Sequence, residues 1–165
     1  MRPFRARRGE VVGRLDPAEA SVVGLLLDQL EQLLAADAAD VGDDPVLARL
    51  LPDGHRGDPE IAADYREMTE SALRSGKADD LAVVRATLPA EGGEVRLDSD
   101  KAAAWLRSTN DLRLALGTRL DIGEDTEPPE EITGEEEQQL AVYYWLTAVQ
   151  GSLVDALVAA RGGRS

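Results

Sequence analysis

Three times in this chain an Asp-Pro pair is followed by a helix-compatible apolar pattern: Asp16-Pro17, Asp44-Pro45 and Asp58-Pro59. An aspartate at the N-cap accepts hydrogen bonds from backbone amides that a first helical turn leaves unpaired, and proline fits the position after it. Glu19 follows Asp16 by three residues, which completes a reciprocal capping box. Three such entries in the first 60 of 165 residues commit the chain to helices. Val22, Val23, Leu26, Leu27, Leu30, Leu33 and Leu34 recur at three- and four-residue spacing and predict a first helix from Pro17 to about Ala36.

The other two entries predict shorter helices. One carries Val46, Leu47, Leu50 and Leu51 and closes at Pro52; the next carries Ile61, Tyr65, Met68 and Leu73 and closes at Ser75-Gly76. A further helix from about Ala78 holds Leu81, Val84 and Leu88 and stops at Pro89. The clearest helical stripe runs from Trp105 to Leu120, entered at Asp98 or Ser99, with Trp105, Thr109, Leu112, Leu116 and Leu120 on one side and Leu106 and Leu114 widening it. The last helix spans about 134–160, with Thr133 as its cap and Glu135 to Glu137 at its positive end. It is apolar around much of its circumference, so it is expected either at the centre of a bundle or against a second subunit as a homodimer.

Two short stretches read differently. Phe4, Ala6, Val11, Val12 and Leu15 alternate loosely about Arg8-Gly9, which predicts a hairpin over the first 14 residues. Two strands are marginal alone, so Glu94-Val95-Arg96-Leu97 is expected to add a third. The predicted fold is mainly α: a bundle of about five to six helices with a small N-terminal hairpin, all within a single domain over 1–165. With only six aromatic residues, its core has to be built from Leu, Val and Ala.

Charge divides the chain. The first 14 residues hold Arg2, Arg5, Arg7, Arg8 and Arg14 against Glu10, a basic arm of about +4 on a protein of net charge −14. The acidic body repels phosphate backbones, so DNA contact is expected to be indirect or to use a local basic surface. Arg5, Arg7, Arg8 and Arg14 read either as a solvated face that blunts a strand edge or as an anion or nucleic-acid contact. Residues 121–133 form an acidic linker loop without a basic residue, stiffened by Pro128-Pro129. Counted as a calcium loop from Asp121, it fails: Thr126 occupies the position that needs glycine, and Ile132 the one that needs glutamate.

Several functions are disfavoured. There is no cysteine, which removes disulfides, thiolate metal sites and thiol switching. No nucleotide-binding, metalloprotease or nucleophile-elbow motif occurs, no carboxylate pair is poised for acid–base work, and no cofactor is expected. His55 sits in a Pro- and Gly-rich loop without catalytic company and reads as an exposed loop residue. Leu140 to Ala160 is interrupted by Gln150, Ser152 and Asp155, which argues against a membrane span; with no secretory signal, a cytoplasmic location is expected. Arg107, Arg113 and Arg119 invite a DNA-reading role, but six residues rotate each about 240° from the last, so they form no single basic face. Arg107 is placed to pair with Asp111 one turn on. Tyr143, Tyr144 and Trp145 hold half the aromatic residues and are a candidate partner or ligand surface.

The segment Trp105-Leu-Arg-Ser-Thr-Asn-Asp-Leu-Arg-Leu-Ala-Leu-Gly-Thr-Arg-Leu120, the acidic loop and the Tyr-Tyr-Trp-Leu helix resemble a family of small actinobacterial proteins of unknown function. So do the Arg-rich start and the Asp-Pro-Ala-Glu and Asp-Pro-Glu entries. That family is typified by the oxidative-stress transcriptional regulator AosR. The resemblance implies a non-enzymatic cytoplasmic regulator acting with protein partners, such as an alternative sigma factor, and makes Trp105, Asn110, Asp111 and Arg113 a structural signature. Redox sensing in that type is expected to use cysteine, which this chain lacks, so thiol switching does not carry over. Two other readings stay open from the residues: a DNA-binding dimer using the arginine arm, or an enzyme or ligand-binding protein with a pocket near Tyr143 and Trp145.

Overall fold

The computed structural model describes residues 4–35, 45–50 and 59–162, with the side chains of 47–49 and 59–70 left out. The expectations for the Asp44 and Asp58 caps, for His55 and its loop, and for Ile61, Tyr65 and Met68 lie outside the described residues.

Capping at Asp16 is reciprocal: the Glu19 amide donates to Asp16 Oδ1 at 2.7 Å and the Asp16 amide to Glu19 Oε1 at 2.9 Å. Helix α1, Pro17–Ala35, then buries Ala20, Val23, Leu27, Leu30 and Leu34 on one side. Helix α2 is the six-residue Pro45–Leu50. Helix α3 runs unbroken over Pro59–Thr87. Helix α4, Ser99–Arg119, starts where Asp98 accepts from the Lys101 amide at 2.8 Å. Helix α5 spans Glu135–Gly162.

Among the described residues the architecture is mainly helical, with four long helices, the short α2 and one sheet; two of the about five to six helices expected, those on either side of Ser75-Gly76, are one continuous helix. The difference comes from Ser75-Gly76, which does not end a helix. Gly76 lies within α3, exposed and with open space around it. A mid-helix glycine costs only about 1 kcal/mol relative to alanine, too little to break a helix held by packing on both sides. Leu81 and Val84, beyond the glycine, are fully buried. The helix-start reading is also corrected at α5. Gly134, whose carbonyl accepts from the Gln138 amide at 3.1 Å, takes the cap position, and Thr133 stays exposed outside the helix.

Strands β1 (Phe4–Arg7), β2 (Glu10–Leu15) and β3 (Gly93–Leu97) form one antiparallel sheet in the order β1-β2-β3. The third strand therefore joins the hairpin as expected. Arg8 and Gly9 both have positive φ, 55° and 79°, as a two-residue hairpin turn of matching twist requires. Register places Phe4 beside Gly13 and Gly13 beside Val95, so these residues and Val11, Leu15 and Leu97 share the inward face.

The centre of the molecule is α4 rather than α5. It packs against every other helix and also meets β2 and β3. Trp105 on α4 fixes the sheet to the bundle. Its ring meets Phe4 edge-on at 5.5 Å, and its indole N–H donates to Thr87 Oγ1 at 2.7 Å near the end of α3. Phe4 is tied from the other side, its amide donating to Ser152 Oγ on α5 at 3.3 Å. The remaining core is Leu, Val and Ala with these two aromatic rings. Among the described residues no helix is long and apolar enough to cross a membrane.

Two glycines should behave oppositely. At Gly92, φ is +85° and an added Cβ would lie 2.8 Å from the Pro17 nitrogen, so Gly92→Ala should cost about 2 kcal/mol or more. Gly76→Ala adds a helix former in open space and should gain about 1 kcal/mol. Urea unfolding of the two variants checks both signs.

Candidate functional site

A helix packed against every other helix has to find partners for the polar groups it carries, and α4 carries many. Arg107 does not pair along its own helix. Its Nε and Nη2 reach both carboxylate oxygens of Asp80 on α3 at 2.9 Å each. Asp111, only 6% exposed, instead receives the Lys77 ammonium from α3, 2.9 Å from each oxygen. Arg113 turns to α5, donating to Gln150 Oε1 at 2.9 Å and lying 5.6 Å from the centre of the Tyr143 ring. Gln150 donates in turn to Asn110 Oδ1 at 3.3 Å. Arg119 reaches Gln29 on α1 at 3.1 Å. The three arginines point in three directions, as their spacing requires, and each ties α4 to a different neighbour.

Burial decides the electrostatics of the central pair. Loss of solvent raises the Asp111 carboxyl above its ordinary pKa; the Lys77 hydrogen bond and charge pull it back only in part, and Asp80 nearby adds a little to the rise. The signature residues Trp105, Asn110, Asp111 and Arg113 are thus joined to one another through neighbouring helices: Trp105 to the sheet and α3, Asp111 to α3, Asn110 and Arg113 to α5.

The arginine arm occupies the opposite face of the sheet from the core. Register puts Arg5, Val12 and Arg96 in one cross-strand row, Arg7 with Glu10 in a second, and Arg14 with Glu94 in a third. Both glutamates lean toward Arg96, at 3.7 Å from Glu10 and 3.2 Å from Glu94. Among the described residues, exposed Arg5, Arg7, Arg8 and Arg14 therefore form no ion pair. Val12 is 5% exposed yet stands outside the core cluster, and Arg5 and Arg96 are its direct cross-strand neighbours.

Tyr143, Tyr144 and Trp145 are half-buried. Tyr143 and Tyr144 meet edge-on at 5.3 Å, and the Tyr144 hydroxyl donates to the Thr126 carbonyl at 2.9 Å, which moors the acidic loop to α5. Tyr143 sits against Gly117, and with Arg113, Pro45 and Asp121 it lines an open cleft of about 430 Å³. Trp145 does not line that cleft. Further along α5, Val154 and Val158 are exposed.

Sequence reasoning missed Lys77, Asp80, Gln150 and Arg96. Lys77 had a signal, being one of two lysines in an arginine-rich chain. Alternation in Glu94-Val95-Arg96-Leu97 also placed Arg96 on the outer face. Gln150 and Asp80 carried none.

With this geometry in view, comparison with known proteins is direct. The model of a domain of unknown function, DUF2017, matches residues 1–157. The chain belongs to the DUF2017 family. It is 34% identical over 168 residues to "Oxidative stress regulator AosR" of Mycobacterium tuberculosis and of Mycobacterium bovis, covering 93% of this chain and 76% of each relative. A protein of Mycobacterium leprae named "Putative oxidative stress regulator AosR" is also 34% identical, over 92% of this chain and 75% of its own. No solved structure matches. In this DUF2017 chain the residues from Phe4 to Leu157 that build the sheet, α4 and most of α5 all fall within the matched span.

The Lys77–Asp111 pair should show the asymmetry of buried charges. Asp111→Ala strands the Lys77 ammonium and should cost about 3 kcal/mol, whereas Lys77→Met with Asp111→Leu should fall within about 1 kcal/mol of the parent. Denaturant unfolding of the single and double variants measures this. A raised folded-state pKa at Asp111 means the native carboxyl holds its proton more tightly than the unfolded one. Its contribution is full below the unfolded value, about 3.9, and is lost as pH rises through the folded value. Stability measured against Asp111→Asn should therefore increase for the parent as pH falls from neutral toward about 4.

Proposed function

We propose that the chain is a non-enzymatic, transcription-associated regulator of the oxidative-stress response that works in the cytoplasm through protein partners. Relatives over most of its length carry the name oxidative stress regulator, which supports the regulatory part of the reading. The observation that carries the mode of action is charge segregation. An exposed acidic loop is moored to the body at Thr126, while Arg5, Arg7 and Arg14 on the outer sheet face and Arg8 at the hairpin turn form no ion pair among the described residues of a −14 protein.

A body this acidic pays an electrostatic penalty at a bare duplex and favours a basic, nucleic-acid-binding protein such as an alternative sigma factor. Arg5, Arg7, Arg8 and Arg14 then add phosphate contacts only where the partner holds DNA alongside. Sensing by thiol chemistry is absent from the scheme because the chain has no cysteine. A redox signal would therefore reach it through the partner or through a bound small molecule.

The test is a pull-down from native cytosol with partners identified by mass spectrometry, paired with a gel shift. The parent chain should retain an RNA polymerase sigma factor. Changing Glu124, Asp125, Glu127, Glu130 and Glu131 to their amides should release it. The pure protein should leave free duplex unshifted at physiological salt. A tight, sequence-specific shift by the pure protein that disappears when Arg5, Arg7, Arg8 and Arg14 become alanine would instead make it a direct DNA binder.

A further inference from the structure

Half-buried Lys77 meets the Asp111 carboxylate, while exposed Arg85 meets Asp28 and Glu31 and exposed Arg107 meets Asp80. Half-buried Arg113 meets no carboxylate among the described residues. Its partners are the neutral Gln150 and the Tyr143 ring, and its Nε is buried without any hydrogen-bond partner. A half-buried guanidinium with no ion-pair partner among the described residues is costly, although the Asp121 carboxylate lines the same cleft.

The surroundings of Arg113 are those of a binding site. It lines the open cleft of about 430 Å³ together with Pro45, Leu114, Ile122, Asp121 and Tyr143. That volume suits a small ligand. The guanidinium is held in place from both sides, by Gln150, which Asn110 fixes in turn, and by the ring face. The ring itself is seated on Gly117, where a Cβ would come within 3.0 Å of Tyr143 Cε2. Among the described residues the Tyr143 hydroxyl has no hydrogen-bond partner.

We propose that this cleft binds a small monocarboxylate, with the Arg113 guanidinium pairing to the carboxylate and the short apolar remainder lying against Leu114, Ile122 and Pro45. The Nη atoms of a guanidinium match two carboxylate oxygens, and the bound carboxylate supplies the negative charge. Asp121 in the cleft lining and the negative C-terminal end of α4 disfavour a dianion such as phosphate more strongly than a monoanion. The site is independent of the docking surfaces above, which use other residues.

Titration of the ¹⁵N-labelled full chain with sodium butyrate, butylammonium chloride and inorganic phosphate, followed by NMR, tests this. Butyrate should shift the Gly117, Thr118 and Ile122 amides and the Arg113 Nε–H signal saturably, and butylammonium should not. Arg113→Gln should weaken butyrate by about tenfold. Asp121→Asn leaves the guanidinium in place and suits the same backbone conformation, so it reads the site even where the first variant folds poorly; it should tighten butyrate about threefold. Phosphate shifts at the cleft as strong as those of butyrate would overturn the proposal. So would butyrate shifts confined to the Arg5, Arg7, Arg8 and Arg14 strands, or butyrate binding that neither variant changes.

Discussion

The structure depends on the burial of a polar helix. α4 is surrounded by α1, α2, α3, α5 and the sheet, yet between Trp105 and Leu120 it carries three arginines, an asparagine and an aspartate. Such a helix is stable only when most of its polar groups find partners on a neighbour, because an unpaired one costs more than its hydrogen bond would return; Ser108 Oγ and Arg113 Nε are buried without one. The six-residue spacing of the arginines answers this geometrically by sending one each to α3, α5 and α1. Individually the exposed pairs add little. Together with the buried Lys77–Asp111 pair they fix the rotation of α4 about its own axis, which apolar packing alone specifies loosely.

From that fixed axis the rest is positioned. Trp105 locks Phe4, and through it the inward face of the sheet, so the outer face and its arginines are held at one orientation to the bundle. Arg85 spans from α3 to Asp28 and Glu31 on α1. Asn110 and Gln150 register α5 against α4, which places Tyr143 over Gly117 and leaves the cleft beside it. The same polar contacts that hold the fold thus also define both surfaces to which a function is assigned.

How much of this was legible follows from the range of each interaction. Caps are local, so the Asp16–Glu19 box and the Asp98 entry could be read directly from three-residue spacing, as could the third strand from alternation. Gly76 misled because punctuation is a local preference worth about 1 kcal/mol, which burial of Leu81 and Val84 overrides. Arg107 misled for a related reason: an intrahelical pairing with Asp111 fits the spacing, but Asp80 on a neighbouring helix offers both its oxygens to the guanidinium. The angular spread of the arginines needed only helical geometry. Which residue met each arginine needed the packing, and nothing in the chain order of Gln150 or Asp80 announces it.

Two non-glycine residues among those described have positive φ: Arg8 at 55° and Asp121 at 54°. Each sits at one of the two candidate surfaces, Arg8 at the tip of the arginine hairpin and Asp121 in the lining of the cleft. Asp121 occupies the left-handed position after α4, where the Ile122 amide donates to the Gly117 carbonyl and the Asp121 amide to that of Thr118. Glycine would serve the backbone better at both places, since a left-handed residue with a Cβ costs about 1–2 kcal/mol. Aspartate partly escapes that penalty, but it puts a negative charge at the negative end of a helix dipole. Arginine escapes none of it. Under the function proposed above, the hairpin turn keeps an arginine, where glycine or asparagine would stabilise the fold, for a contact outside the molecule; under the cleft proposal the same argument would apply to the Asp121 carboxylate that lines the cleft with Arg113.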